Sequence, residues 1–193
     1  MKPLLSALLI FFVISCRQKE SAVDKDSPEA LLQFIPAGYM LKDTARGDLN
    51  LDGLKDLILV LNKTGEEETS DITENPEKRP LLILLAQKNN TYRQAAQSEN
   101  IVYCYDCGGM LGDPYQGITV KDGQFSIEHF GGSSWRWART STFRYIKAED
   151  TWYLTEDALI NSHASDPENI EANIRTARDF GEIRFENFDI YKE

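Results

Sequence analysis

Side-chain oxygens recur at every second position along Asp48-Leu-Asn-Leu-Asp-Gly-Leu-Lys-Asp56: Asp48, Asn50, Asp52 and then Asp56, with Gly53 just after the third. Oxygen donors at the first, third, fifth and ninth places of such a loop converge on one point. Leu54, at the seventh place, offers its backbone carbonyl, and the glycine permits the sharp turn between them. The chemistry this suits is the holding of a hard cation such as Ca2+. Ligation would consume the acids, so the expected role is structural. Asp52→Ala is expected to abolish calcium-dependent stability and leave calcium-free stability little changed. An acidic turn without an ion is the plain alternative.

Two further groups bear on chemistry. Cys104-Tyr-Asp-Cys107 has the spacing of a redox dithiol, but Gly108-Gly109 follows and the run to Pro114 lacks helical periodicity. A thiol made reactive by a helix N-terminus is therefore not indicated, and the simpler expectation is a small structural disulfide. A redox role and a zinc site remain alternatives. Zinc would need two more ligands, and the two histidines, His129 and His163, lie well apart. The segment His129–Trp137 (HFGGSSWRW) is the candidate ligand surface. Gly131 and Gly132 leave room near the backbone, Trp135 and Trp137 can stack on a sugar or another flat group, and Arg136 can meet a carboxylate. The same alternation also suits two core tryptophans and a satisfied, half-buried His129. No nucleophile elbow, phosphate loop or HExxH motif occurs, so no catalytic residue is assigned.

The elements that must position these groups begin after a leader. Leu4 to Ile14 is an apolar run too short to span a bilayer, which takes about 20 residues, and Lys2 precedes it. Residues 1–15 are expected to be a signal peptide. Val13-Ile14-Ser15-Cys16 resembles the lipobox of bacterial lipoproteins. That resemblance implies lipid on Cys16, and Arg17 after it implies the outer membrane, with the face undecided. Residues 16–27 are polar and read as a lipidated tether.

Residues 28–193 suffice for one domain with a core. The net charge of −10 disfavours phosphate backbones, so nucleic acid is not an expected partner. Glu66, Glu67, Glu68, Asp71, Glu74 and Glu77 concentrate acid around Asn75-Pro76, which reads as a solvated loop. Pro28–Phe34 reads as a short helix capped by Ser27. Buried strands are expected at 56–61 and 81–86, and further strands at 91–96, 101–105 and around the Asp122-Gly123 turn. Residues 135–146 alternate clearly, and 152–154 follows as a strand. Asp166-Pro167 is expected to open a helix to about Arg178, with Ile170, Ile174 and Ala177 on one stripe. Ile183 and Phe185 alternate, then Phe188 and Ile190 out of phase, which calls for an irregularity near Asn187. The whole reads as a mainly β fold: an antiparallel meander of about eight or nine strands with two short peripheral helices.

The loop at 48–56 resembles the calcium loops of FG-GAP and VCBS-type repeats, as in integrin α-subunit propeller blades. The matching positions are Asp48, Asn50, Asp52, Leu54 and Asp56. One copy is present, so no propeller is implied. An EF-hand would carry Glu where Leu59 stands, which implies a weaker site, with Kd on the order of 10⁻⁴ to 10⁻³ M. Otherwise the chain resembles uncharacterised envelope lipoproteins. The expected function is a lipid-anchored, calcium-stabilised binding or scaffolding module, more a non-catalytic protein than an enzyme, whose ligand is an envelope protein or a glycan. The alternatives are a hydrolase of envelope glycans or peptides, needing a cleft around His129, Asp113 or Glu128, and a thiol–disulfide protein using Cys104 and Cys107.

Overall fold

The apolar runs at 57–61 and 81–86 lack alternation and so require cover on both faces. The computed structural model, which describes residues 24–192, supplies that cover. Two antiparallel sheets follow chain order. The first contains β1 (Tyr39–Gly47), β2 (Asp56–Lys63), β3 (Arg79–Ala86) and β4 (Tyr92–Val102). The second contains β5 (Tyr115–Lys121), β6 (Gln124–Gly132), β7 (Trp135–Ile146), β8 (Thr151–His163) and β9 (Asp166–Thr176).

Alternate residues of β2 and β3 enter two cores. Ile58, Val60, Leu81, Ile83 and Leu85 pack with Phe125, Ile127, Phe143, Trp152 and Leu154 of the second sheet. Leu57, Leu59, Leu61, Leu82 and Leu84 pack with Leu31 of α1 (Pro28–Leu31) and with Phe34 and Ile35 just beyond it. The Ala30 N–H donates to Ser27 Oγ at 3.2 Å, the cap expected from sequence. Asp122 and Gly123 have φ of 38° and 74°, so both turn residues of the β5–β6 hairpin are left-handed. Asp-Gly is the dipeptide that tolerates this.

Several boundaries differ from expectation. The signal peptide, Cys16 and residues 17–23 lie outside the described residues. The end of the expected tether is docked: Tyr92 Oη accepts from Lys25 Nζ and donates to Asp26, each at 2.6 Å. The acidic segment is folded, with α2 (Glu66–Thr69) at its start and Glu66 buried. The two strands expected at 91–96 and 101–105 are one, β4, with an irregular register against β3. The helix expected from Asp166 to about Arg178 is instead β9, followed by α3 (Ala177–Phe180). Ile170 and Ile174 are four residues apart, a spacing that a helical stripe and a strand face share. The C-terminal segment is mostly not strand. A 3-10 turn at Phe185–Asn187 occupies the expected irregularity and lets Phe185, Phe188 and Ile190 all enter the core.

Candidate functional site

The acidic loop joins β1 to β2, and its side chains close the turn. The Asp52 N–H is shared between Asp48 Oδ1 at 3.1 Å and Asn50 Oδ1 at 3.2 Å. The Gly53 N–H donates to Asp48 Oδ2 at 2.9 Å, and the Leu54 N–H to Asp52 Oδ1 at 2.8 Å. Asn50 Nδ2 donates to Asp52 Oδ2 at 3.0 Å. Gly53 has φ of 85°, the left-handed value that glycine accepts without strain.

The loop also binds the second sheet. Leu49 is fully buried in the core, and its carbonyl accepts from Trp152 Nε1 at 3.0 Å. The Asp48 carbonyl accepts from the Gly123 N–H at 2.8 Å. Leu51 covers Gly123 so closely that a Cβ there would lie 2.9 Å from Leu51 Cγ. One short loop therefore ties β1, β2, the β5–β6 hairpin and β8 together.

Asp56 stands apart from the other donors. It is fully buried, and its two oxygens accept from the N–H groups of Leu49 at 2.8 Å and Ala86 at 2.9 Å. Burial pushes its carboxyl above the ordinary range against those two N–H groups, and the nearby Asp52 and Asp48 carboxylates push the same way. The donor set of Asp48, Asn50 and Asp52 is all oxygen, which suits a hard cation, and an oxygen that accepts one hydrogen bond keeps a second lone pair. Among the described residues, no group of three or more His, Cys, Asp or Glu side chains is gathered closely enough to hold a metal ion. Asp52 also has work without an ion: its two accepted hydrogen bonds correct the expectation that Asp52→Ala touches ion binding alone.

Cys104 and Cys107 are joined by a disulfide with Cα atoms 5.1 Å apart. With both sulfurs in the bond, neither serves as a zinc ligand. The pair opens a 3-10 segment, Tyr105–Leu111, whose Asp106 accepts from Ser70 Oγ and the Ile72 N–H, each at 2.6 Å. The bridge thus anchors the acidic segment.

The aromatic segment is divided. Trp135 is 61 % exposed and meets His163 edge-to-face at 5.1 Å. Trp137 is half-buried against the Tyr103 ring at 5.5 Å. It lies over Gly131, where a Cβ would come within 2.5 Å of its ring. Arg136 pairs with Ser162 on the opposite sheet face. His129 is buried, not part of a ligand surface. Its Nε2 accepts from the Tyr103 N–H at 3.3 Å, and Nδ1 has no partner among the described residues. Burial, aided by the Arg139 and Arg79 charges, pushes its pKa down to about 3, so the ring is neutral.

Two buried arginines flank this region. Arg79 forks between Glu66 and Asp113, with closest approaches of 2.6 Å to each. Lys42 also reaches Asp113, at 2.7 Å. Burial alone would raise the Asp113 carboxyl, but Arg79 and Lys42 hold it below the ordinary range. Arg139 pairs with Asp157 at 2.9 Å and donates to Tyr103 Oη and the Ile190 carbonyl. Asp157 also accepts from Ser141 and Arg175, and these donors outweigh its burial to hold it low as well. Glu128 accepts from Thr119 Oγ1 on the exposed face of the hairpin. Glu128 and His129 are adjacent in β6 and so face opposite sides of the sheet, and Asp113 is engaged by Arg79 and Lys42.

Sequence reasoning passed over both arginines. The alternation from Trp135 through Trp137 places Arg139 and Ser141 on the same inward face, and that parity was the available signal. Comparison with known proteins found no family model that matches the chain, no curated relative and no similar solved structure.

Proposed function

We propose that this chain is a non-catalytic binding or scaffolding module of the bacterial cell envelope, anchored through lipid on Cys16 and stabilised by Ca2+ on the 48–56 loop. The observation that carries the calcium reading is the position of the loop. Its carbonyls hold Gly123 and Trp152 of the second sheet, so an ion there would strengthen the junction of both sheets. Asp48, Asn50 and Asp52, with the Leu54 carbonyl, are the groups that would hold it. Asp56 would serve by anchoring Leu49 and by the negative charge it adds nearby. A cation would also relieve the repulsion that Asp48 and Asp52 exert on Asp56. The non-catalytic reading is supported by the pairing of Asp113 and Asp157 with arginines and by the burial of His129. The thiol–disulfide alternative has less support, because Cys104 is fully buried.

Thermal unfolding against added Ca2+, with Mg2+ as control, tests the ion. Calcium at 100 times Kd is expected to add about 2.7 kcal/mol, and Asp48→Ala to remove that gain. An unchanged midpoint up to a Ca2+ concentration of about 10 mM, well above the millimolar Kd of extracellular modules, would sink the calcium reading. The anchor is tested separately. Cys16→Ser is expected to release the protein from the membrane fraction, and its retention there would refute lipid on Cys16.

A further inference from the structure

β9 is the terminal strand of its sheet and has no strand on its outer edge. Every residue from Asp166 to Ile174 is exposed. Ile170 and Ile174 are 54 % and 56 % exposed and share a face with Ile160, itself 37 % exposed. The opposite face of the strand carries Glu171, Asn173 and Arg175. An edge of this kind is a template for another strand.

We propose that β9 pairs with β9 of a second copy of this chain, antiparallel and about a twofold axis at Asn173. Four features select that occupant and register. Residues 170–176 are the part of β9 in regular register with β8, and Asn173 is their midpoint. Centred there, Glu171 of each copy lies opposite Arg175 of the other, so the twofold makes two reciprocal ion pairs. On the other face Ala172 lies opposite Ile174 and Ile170 opposite Thr176, which extends the apolar strip across both molecules. Pro167 and Glu168, which blunt an edge, fall outside the paired segment. A shift to Glu171 would set like charges face to face. A shift to Ala172 would carry the pairing into residues 168–169, beyond the regular ladder. Arg175 can take part because one guanidinium nitrogen holds Asp157 while the side chain is 37 % exposed. A single strand edge offers less than the ~800 Å2 per partner of a standard stable interface. Association is therefore weak in dilute solution and concentration-dependent. This inference does not depend on calcium.

Cysteine trapping in the full chain carrying Cys16→Ser tests both the pairing and its register. Asn173→Cys is expected to give a disulfide-linked dimer on mild oxidation, whereas Lys147→Cys, exposed in the β7–β8 turn, gives none at the same concentration. Ala172→Cys and Ile174→Cys are expected to link when mixed, and neither alone. Adding Glu171→Arg to the Asn173→Cys chain is expected to remove most of the product while thermal unfolding stays unchanged. Linking of Asn173→Cys no greater than that of Lys147→Cys would overturn the proposal. So would linking of Ala172→Cys to itself, which sets a different register.

Discussion

β3 and β9 are both strands in antiparallel sheets, and they sit at opposite extremes of exposure. β3 is buried along its whole length, from Arg79 to Ala86, while β9 is exposed from Asp166 to Ile174. β3 is fixed by packing on two faces and by the fork of Arg79 between Glu66 and Asp113. β9 is held by its ladder with β8, by the following α3, and by the ion pair of Arg175 with Asp157. β3 also bonds a strand on each edge, β2 and β4, whereas β9 bonds β8 alone, so the difference in stabilisation comes both from the ladders and from what covers the side chains.

That contrast can be broken at β3 first. Arg79→Ala would leave Glu66 and Asp113 without their shared counter-charge, and urea unfolding should register a loss of about 3–5 kcal/mol. Next comes a matched pair of truncations. Ile83→Ala should cost about 2–5 kcal/mol, while Ile174→Ala in dilute protein should stay within about 0.5 kcal/mol. Equal effects would show that β9 is buried in solution.

The third test uses pH. His129 titrates at about 6.5 when unfolded and is pushed down to about 3 in the fold. Between those values the unfolded chain binds the extra proton, so stability is full above the higher value and falls as pH drops. Going from pH 7 to pH 5 should cost about 2 kcal/mol, and His129→Gln should flatten that slope. The carboxylates of Asp113 and Asp157, held low, act at more acid pH: their contribution is present above about 3.9 and is lost as pH falls through their folded values. The smallest effect concerns the loop. Without calcium, Asp52→Ala should lose about 1 kcal/mol, because two hydrogen bonds go with the carboxylate.

The same contrast explains what sequence can reveal. The first sheet is legible because both of its faces are covered, so β2 and β3 appear as unbroken apolar runs. The Asp122-Gly123 hairpin is legible because its backbone needs those residues. β9 is not, since an uncovered strand needs no β-rich composition, and Asp166-Pro167 with Ile170 and Ile174 carries every mark of a helix start and stripe. At the site, the order and turn of Asp48, Asn50 and Asp52 are readable from spacing alone. The double anchorage of Asp56 is not, because Ala86 lies 30 residues away. Nor could spacing divide Trp135 from Trp137: both point to one face, and only the packing of Tyr103 and Gly131 decides which is covered.

The bond between the Trp152 indole and the Leu49 carbonyl spans 103 residues. β1 and β2 can pair as soon as both exist, yet the carbonyl inside their connection gains its partner only once β8 is in place. Closing so long an interval is slow compared with forming a hairpin. In chain order the acidic loop is thus completed well after the strands that flank it. A peptide carrying residues 48–56 alone would keep the ligand order and lose the clamp that shapes it. The shape of the loop is then a property of the folded chain and not of the nine residues by themselves.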